Sequence, residues 1–153
     1  MQKYLLIFGS NGALGKGVTE VLAGKDYQKI ILFDSKPNII SGKNIEAVLV
    51  GNLSEEENVI KAFSNIKPSR DVEYFLFSTV GGFTGGKNLW ESETSDLAKM
   101  LDSNLKTCFL IGKHFARLVK DSAGGSILFT AAYTGLIPEK GKIPYEKIWR
   151  YLL

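Results

Sequence analysis

Residues 4–15 read YLLIFGSNGALG, and this stretch decides the fold. Its first five residues form a continuous apolar run, which is typical of a β-strand that is buried on both faces. A glycine-rich turn follows, and the apolar residues beyond it recur at helical spacing, at Leu14, Val18, Val21 and Leu22. Gly24 is the expected end of this helix. The stretch therefore predicts a strand, a tight turn and a helix in immediate succession.

The rest of the chain alternates between strands and helices. Further strands are expected at residues 29–33, 45–50 and 126–131 and within residues 72–80. Helices are expected after a capping box at residues 54–57, at residues 95–120 and at residues 146–153. This alternation predicts an α/β fold. We expect a Rossmann-type, doubly wound parallel sheet of about five strands in the order 3-2-1-4-5, in a single domain that spans residues 1–153.

The apolar periodicity also predicts which helix faces are buried. The helix after the capping box is expected to bury Val59, Ile60 and Phe63. The long helix is expected to bury a stripe formed by Leu97, Met100, Leu101, Cys108, Ile111, Phe115 and Leu118. His114 lies off this stripe and is expected at the surface or at an interface.

Composition and charge exclude several classes of protein. The net charge is +3 and the basic residues are scattered, so we expect neither a nucleic-acid partner nor a membrane surface. The apolar stretches are too short to cross a bilayer. Cys108 is the only cysteine and His114 the only histidine, so neither an internal disulfide nor a metal site is expected. The lone cysteine and the absence of a signal-peptide pattern at the N-terminus predict a cytoplasmic protein.

The glycine turn has the sequence of a dinucleotide-binding site. Glycines between a strand and a helix let the backbone approach a pyrophosphate, and the N-terminus of the helix offers free N–H groups to it. Asp34 follows the second strand, 19 residues after Gly15, where an acid accepts hydrogen bonds from an adenosine ribose. The alternative is a structural turn with a solvent-exposed Asp34. A triphosphatase P-loop is disfavoured, because five residues separate Gly9 from Gly15 and Gly17 follows Lys16.

The carboxylate of Asp34 also bears on which nicotinamide cofactor binds. It would repel a 2′-phosphate, so NAD(H) is expected to be preferred, with NADP(H) as the alternative. Lys36 is the counter-argument, since its ammonium could swing towards a phosphate.

With these motifs the sequence resembles the short-chain dehydrogenase/reductase superfamily. The turn at residues 9–15 and Asp34 match its glycine turn and its NAD-selecting acid, and residues 51–54 resemble the segment that reads the adenine. Residues 78–81 occupy the place of its Asn-Asn-Ala-Gly segment, and the extended form VGGFTGG at residues 80–86 resembles the dihydropteridine reductase branch. The resemblance runs from residue 1 to about Tyr145. The superfamily's last strands have no counterpart, so a C-terminal truncation is expected.

The cofactor-binding residues that the motifs and the resemblance imply come from four segments. They are Gly9, Ser10, Asn11, Gly12, Ala13, Leu14, Gly15, Asp34, Asn52, Leu53, Val80, Gly81 and Gly82.

The resemblance implies a catalytic set of Asn, Ser, Tyr and Lys, of which this sequence keeps two members. Asn104 and Tyr145 fit, and Ala132 stands where the superfamily has Ser, as it does in the dihydropteridine reductase branch. Trp149 stands where Lys would lower the pKa of the Tyr, so Tyr145 is expected to be a poor acid–base catalyst. The alternatives are a structural Asn104 that bonds neighbouring backbone and an ordinary amphipathic Tyr145.

Two hypotheses of function remain open from the sequence. The first is an NAD(P)(H)-dependent oxidoreductase that acts on a carbonyl or a quinonoid pteridine-like substrate. The second is a catalytically impaired dinucleotide-binding remnant or a regulatory nucleotide sensor. The expected partners are a small-molecule substrate and further copies of the chain, bound through the long helix or through the exposed edge strand at residues 126–131.

Overall fold

The computed structural model describes residues 1–38, 40–84 and 89–132. Its strands are β1 (Gln2–Phe8), β2 (Lys29–Asp34), β3 (Ile45–Leu49), β4 (Val72–Ser78) and β5 (Gly124–Phe129). Its helices are α1 (Ala13–Ala23), α2 (Glu56–Phe63), α3 (Thr94–Met100) and α4 (Thr107–Lys120), with a 3₁₀ turn at Leu89–Glu91 and a π-helical segment at Leu101–Lys106. The helix predicted at residues 146–153 lies outside the described residues.

The strands form one parallel sheet in the order β3-β2-β1-β4-β5, which confirms the predicted topology. The register places Phe8 beside Phe33 on one side and beside Ser78 on the other. The carboxyl ends of β2, β1 and β4 are therefore adjacent. The strand order reverses between β1 and β4, and open α/β sheets bind their ligands at such a reversal.

Helices cover both faces of the sheet, which explains the unbroken apolar runs of β1 and β2. On one face Phe8 packs in a cluster with Phe63 of α2 and Ile111 of α4. On the other face Ile7 belongs to a second cluster, against which Val18 of α1 packs. Successive residues of a strand point to opposite faces, so a strand between two helical layers is apolar throughout.

Helix α1 packs only part of its periodic apolar set against the sheet, since Val18 and Leu22 contact the second cluster. The helix ends before Gly24 as predicted, and the other two apolar residues, Leu14 and Val21, are 55% and 65% exposed. Gly15 and Thr19 are buried instead, and the Thr19 hydroxyl donates to the carbonyl oxygen of Gly15 at 2.7 Å. The small residues turn towards the sheet because only they permit the close approach of helix and turn.

Helix α2 begins without the capping box that the sequence predicts. Its N-cap is Glu55, which makes no side-chain capping bond, and the Ser54 hydroxyl donates to the Asn52 side-chain oxygen at 2.9 Å instead. Val59 and Phe63 are buried as expected, whereas Ile60 is exposed.

The long helical region runs from residue 94 to residue 120 without a break, but its middle part is π-helical and not α-helical. Four members of the predicted stripe are buried: Met100, Ile111, Phe115 and Leu118. The other three are not, since Leu97 and Leu101 are exposed and Cys108 is half-buried. The buried face is therefore shifted from the predicted stripe, because Thr107, Leu110 and His114 are also buried.

The expectation that His114 lies at the surface is wrong. Its side chain is only 8% exposed, and Nε2 lies 3.0 Å from Oε1 of Glu56, which also accepts from Nζ of Lys113 at 2.7 Å. The imidazole can be buried because this carboxylate satisfies it, whereas an unpaired buried polar group would be destabilising. The contact joins the start of α2 to α4.

Candidate functional site

A cleft of about 460 Å³ opens at the carboxyl ends of β1, β2 and β4. Its walls come from the glycine turn, from the ends of β2 and β3 and the loops that follow them, from the segment after β4 and from the start of α4. Eight of the predicted cofactor-binding residues line it: Gly9, Asn11, Gly12, Asp34, Asn52, Leu53, Val80 and Gly81. The fold thus brings together four segments that are separated in the sequence.

The glycine turn is held against both neighbouring strands. Gly9 has a φ of +80°, a left-handed conformation that favours glycine. Its N–H donates to the carbonyl oxygen of Phe33 at 2.9 Å, and its own carbonyl accepts from the Thr79 hydroxyl at 2.9 Å. A Cβ on Gly9 would lie 2.7 Å from that Thr79 oxygen. The turn therefore has a fixed shape before any ligand binds.

The start of α1 faces this cleft. Gly12 is the N-cap, with no side-chain capping bond, and the first turn of the helix contains no acidic residue. The first N–H groups of a helix have no partner within the helix, and together with the helix dipole they attract an anion. The arrangement suits a pyrophosphate.

Five other predicted cofactor residues are not among those that line the cleft: Ser10, Ala13, Leu14, Gly15 and Gly82. Ser10 is fully buried, where its hydroxyl donates to the carbonyl oxygen of Phe33 at 3.3 Å and accepts from the side-chain amide of Asn38 at 2.9 Å. The contacts of Ser10 thus shape the turn. Direct contact of these five residues with a cofactor stays a prediction.

Asp34 lies at the end of β2, beside the glycine turn. One carboxylate oxygen, Oδ2, accepts from the backbone N–H of Asn11 at 2.8 Å, and the other, Oδ1, accepts from the backbone N–H of Lys36 at 3.1 Å. Each oxygen keeps a free lone pair, so the carboxylate can accept further hydrogen bonds from a ligand.

A loop after β3 forms the opposite wall. The Asn52 side-chain oxygen accepts from the backbone N–H of Ser54 at 3.1 Å, and the carbonyl oxygen of Asn52 accepts from the Asn58 side chain at 2.9 Å. Leu53 is buried beside them. The side chain of Asn52 is therefore partly used in holding its own loop.

Asn104 belongs to the π-helical segment and is joined to the backbone of Gly82. Its Oδ1 accepts from the Gly82 N–H at 3.1 Å, and its Nδ2 donates to the carbonyl oxygens of Gly82 at 3.0 Å and Met100 at 2.9 Å. Single π-turns within α-helices are frequent at functional sites. The contacts show that Asn104 fixes the segment after β4, and its catalytic role stays a prediction.

Most of the other positions of the predicted catalytic set lie outside the described residues. Tyr145 and Trp149 lie outside the described residues, and Ala132 is the last residue within them. Thr79, Ser103 and Thr107 also line the cleft, although none of them is among the predicted site residues. Thr79 could have been found, because it directly follows β4 and the predicted strand order places that end beside the glycine turn.

The described parts of the chain contain no candidate metal cluster and no membrane-spanning helix. Within residues 1–38, 40–84 and 89–132 no group of three His, Cys, Asp or Glu side chains could hold a metal ion. In the same residues no helix combines the length and the apolar character that crossing a membrane requires.

Comparison with known proteins identifies relatives of this architecture. The chain is 27% identical over 147 residues to a dihydropteridine reductase of Dictyostelium discoideum, an alignment that covers 95% of this chain and 60% of that protein. A short chain dehydrogenase of Burkholderia cenocepacia in complex with NADP superposes with a TM-score of 0.81 at 17% identity, over 98% of this chain and 63% of that one. The ligand-free aldohexose dehydrogenase of Thermoplasma acidophilum gives a TM-score of 0.79 at 15% identity, over 99% of this chain and 57% of that one.

These structures share the fold, and the chain spans about 60% of the length of the dihydropteridine reductase that it matches. The family model of the short chain dehydrogenases matches residues 3–146, which is most of the chain. Together with the sheet order and the glycine turn, this match places the chain in the short chain dehydrogenase family.

Proposed function

We propose that the chain binds a nicotinamide dinucleotide, with NAD(H) preferred, and that it acts as an NAD(P)(H)-dependent oxidoreductase on a carbonyl or a quinonoid pteridine-like substrate. The observation that carries the proposal is the cleft at the strand-order reversal, whose walls include both the start of α1 and the carboxylate of Asp34.

The residues of the cleft fit such a cofactor. Its volume of about 460 Å³ lies within the range of ligand pockets. Gly12 is exposed, and a Cβ there would contact only the Gly9 carbonyl oxygen, at 3.4 Å, so the turn leaves room for a ligand. A bound nicotinamide would supply or accept the hydride, while the chain's own residues bind and orient the two reactants.

The choice of NAD(H) rests on the environment of Asp34. Both of its oxygens accept from neutral backbone N–H groups, and Asp34 forms no ion pair among the residues that the structure describes. No ion pair therefore compensates its negative charge there. A 2′-hydroxyl can donate to this carboxylate, whereas a 2′-phosphate would be repelled.

The proposed substrate class is supported by sequence resemblance. The segment at residues 80–86 and Ala132 resemble the dihydropteridine reductase branch, and a protein of that name is among the relatives. Tyr145 would exchange a proton with the substrate oxygen. Asn104 would hold the backbone of Gly82 in place in the segment after β4.

Trp149 favours a second candidate function. It occupies the position of the cation that would lower the pKa of the Tyr145 phenol, so the chain would bind the cofactor with little turnover and serve as a nucleotide sensor. The two candidates share the cofactor site and differ only in the chemical step.

We also propose that the chain self-associates through its long helix. Leu97, Leu101, Leu105 and Phe109 recur every fourth residue and are all exposed. Residues four apart are neighbours on a helix surface, so these side chains present a contiguous apolar ridge to solvent.

Calorimetric titration of the purified chain with NADH and with NADPH tests the proposal. We expect binding of NADH that is at least tenfold tighter than that of NADPH, roughly the factor that one unfavourable charge contact produces. Absence of binding to both would contradict the proposed function. Tighter binding of NADPH would contradict the preference for NAD(H).

A further inference from the structure

The carboxylate of Asp34 belongs to a closed ring of hydrogen bonds with Asn11 and Lys36. The Asn11 N–H donates to Asp34 Oδ2, and Asp34 Oδ1 accepts from the Lys36 N–H. The ring is closed by Nδ2 of Asn11, which donates to the carbonyl oxygen of Lys36 at 2.9 Å. The same nitrogen also donates to the carbonyl oxygen of Pro37 at 3.0 Å. Asn11 therefore contacts the loop after β2 through both its backbone and its side chain.

The Asn11 amide nitrogen has two hydrogens, and both are used in holding this loop. A second contact joins the same two segments from the other side, since Nδ2 of Asn38 donates to the hydroxyl of Ser10. These contacts join the glycine turn to the loop after β2, and they hold the backbone of Lys36 at both its N–H and its carbonyl.

We propose that Asn11 is a positioning residue that sets the choice between NADH and NADPH, because it holds the Lys36 backbone so that the lysine ammonium does not compensate the charge of Asp34. The inference rests on the proposed function, since it presupposes that the ribose of a dinucleotide lies at Asp34. The observations that carry it are the closed ring and the absence of a Lys36–Asp34 ion pair in the described part of the chain.

The physical reason lies in the two positions that a released Lys36 could take. Its ammonium could pair with Asp34, which would remove the repulsion of a 2′-phosphate, or it could contact the phosphate itself. Either position favours NADPH. The loss of the ring would also weaken the orientation of the carboxylate that a 2′-hydroxyl requires, so NADH binding would decrease.

The experiment compares the dissociation constants of NADH and NADPH, measured by calorimetry, in the full chain and in its Asn11→Ala variant. The variant keeps the backbone N–H and loses both side-chain hydrogen bonds. We expect the ratio of the NADPH constant to the NADH constant to fall roughly fivefold, as the loss of one or two net hydrogen bonds implies. In Asn11→Ala combined with Lys36→Ala, the ratio should return towards the wild-type value.

Asn58→Ala is the matched control. Asn58 also donates from its side chain to a loop carbonyl of the cleft, that of Asn52, but it takes no part in the ring around Asp34. We expect it to weaken NADH and NADPH by the same factor, because both cofactors share the groups bound at that loop. Thermal unfolding verifies that each variant is folded, and Asn11→Ser replaces Asn11→Ala if the latter is not.

The possible results distinguish a failure of the proposed function from a failure of the role proposed for Asn11. If the unmodified chain binds neither cofactor, the proposed function is contradicted. If it binds NADH and Asn11→Ala leaves the ratio unchanged, or if Lys36→Ala does not reverse the shift, the role of Asn11 is contradicted and the proposed function stands.

Discussion

Gly15 lies directly against the carbonyl group of Gly9, so that the first turn of α1 touches the end of β1. A Cβ on Gly15 would overlap the Gly9 carbonyl oxygen and would lie 2.9 Å from the carbonyl carbon. The neighbouring atoms belong to the backbone and cannot move aside as a flexible side chain could. This contact fixes how closely the helix approaches the sheet, and hence where its N-terminus faces the cleft.

We therefore expect Gly15→Ala to destabilise the fold by about 3 kcal/mol or more, through overpacking against backbone. Gly17→Ala is the matched control, because it lies in the same helix and a Cβ there meets nothing within 4 Å. It should stabilise the chain by about 0.5–1 kcal/mol, from helix propensity alone. Urea unfolding measures both changes, and equal effects of the two substitutions would contradict the close contact.

Gly12→Val should abolish cofactor binding and leave the fold largely intact. Gly12 is exposed in an extended conformation, and its Cβ would meet only the Gly9 carbonyl oxygen, so the substitution is tolerated by the backbone. The branched side chain would instead occupy the approach of the pyrophosphate. Circular dichroism and NADH titration check the two halves of this expectation. A folded variant with unchanged NADH affinity would refute the role of the turn.

The sheet order and the cleft walls were predictable because their signals are local. An apolar run, a glycine turn and an acid after the next strand specify a βαβ unit, and the rules of parallel sheets then fix the order of the strands. The faces of the helices were less predictable. Leu14 is exposed since Gly15 has to face the turn, and His114 is buried because Glu56, far away in the sequence, satisfies it.

The ring around Asp34 could not be predicted from the sequence for a related reason. Asn11 and Lys36 are 25 residues apart, and their contact depends on the exact path of two loops. Periodicity specifies which face of an element is buried, but it contains no information on a hydrogen bond between a side chain and a distant carbonyl.

The contact of Glu56 with Lys113 and His114 predicts an acid-sensitive component of stability. Hydrogen bonds from Lys113 and then His114 hold the pKa of Glu56 below its ordinary value of 4.5. A lowered pKa in the folded state means that the unfolded chain binds the proton more tightly. The contribution is therefore present above pH 4.5 and is lost as the pH falls through the lowered value.

Glu56→Gln should thus lower the Tm at neutral pH and flatten its decline below pH 4.5. Glu57→Gln is the control, because Glu57 also lies in the first turn of α2 and shares the helix-dipole effect, but it has no ion pair among the described residues. Melting curves between pH 7 and pH 3 measure the difference. Identical pH profiles for the two variants would show that the contact contributes nothing.

Phe109→Glu should convert a self-associated chain to monomer. Phe109 is 64% exposed on the apolar ridge of the long helix, and a carboxylate there could not be buried against a second copy without a partner. Val21→Glu is the control, since Val21 is 65% exposed on α1, away from the ridge. Sedimentation velocity over a range of concentrations distinguishes them. A wild-type chain that stays monomeric at high concentration would contradict the proposed self-association.

The final prediction concerns turnover. We expect NADH oxidation by the unmodified chain with quinonoid dihydropteridine or small ketones to be very slow, because Trp149 cannot supply the charge that would tune Tyr145 as an acid. General acid–base catalysis is typically worth about 10²–10⁴-fold in rate, so Trp149→Lys should raise the rate by up to about 10²-fold. This gain should vanish when Tyr145→Phe is added, whereas Tyr151→Phe, a control in the same stretch of sequence, should leave it unchanged. Stopped-flow absorbance of NADH measures the rates. Robust turnover by the unmodified chain that disappears in Tyr145→Phe would mean that the site is competent with Trp149, and it would favour the oxidoreductase over the nucleotide sensor.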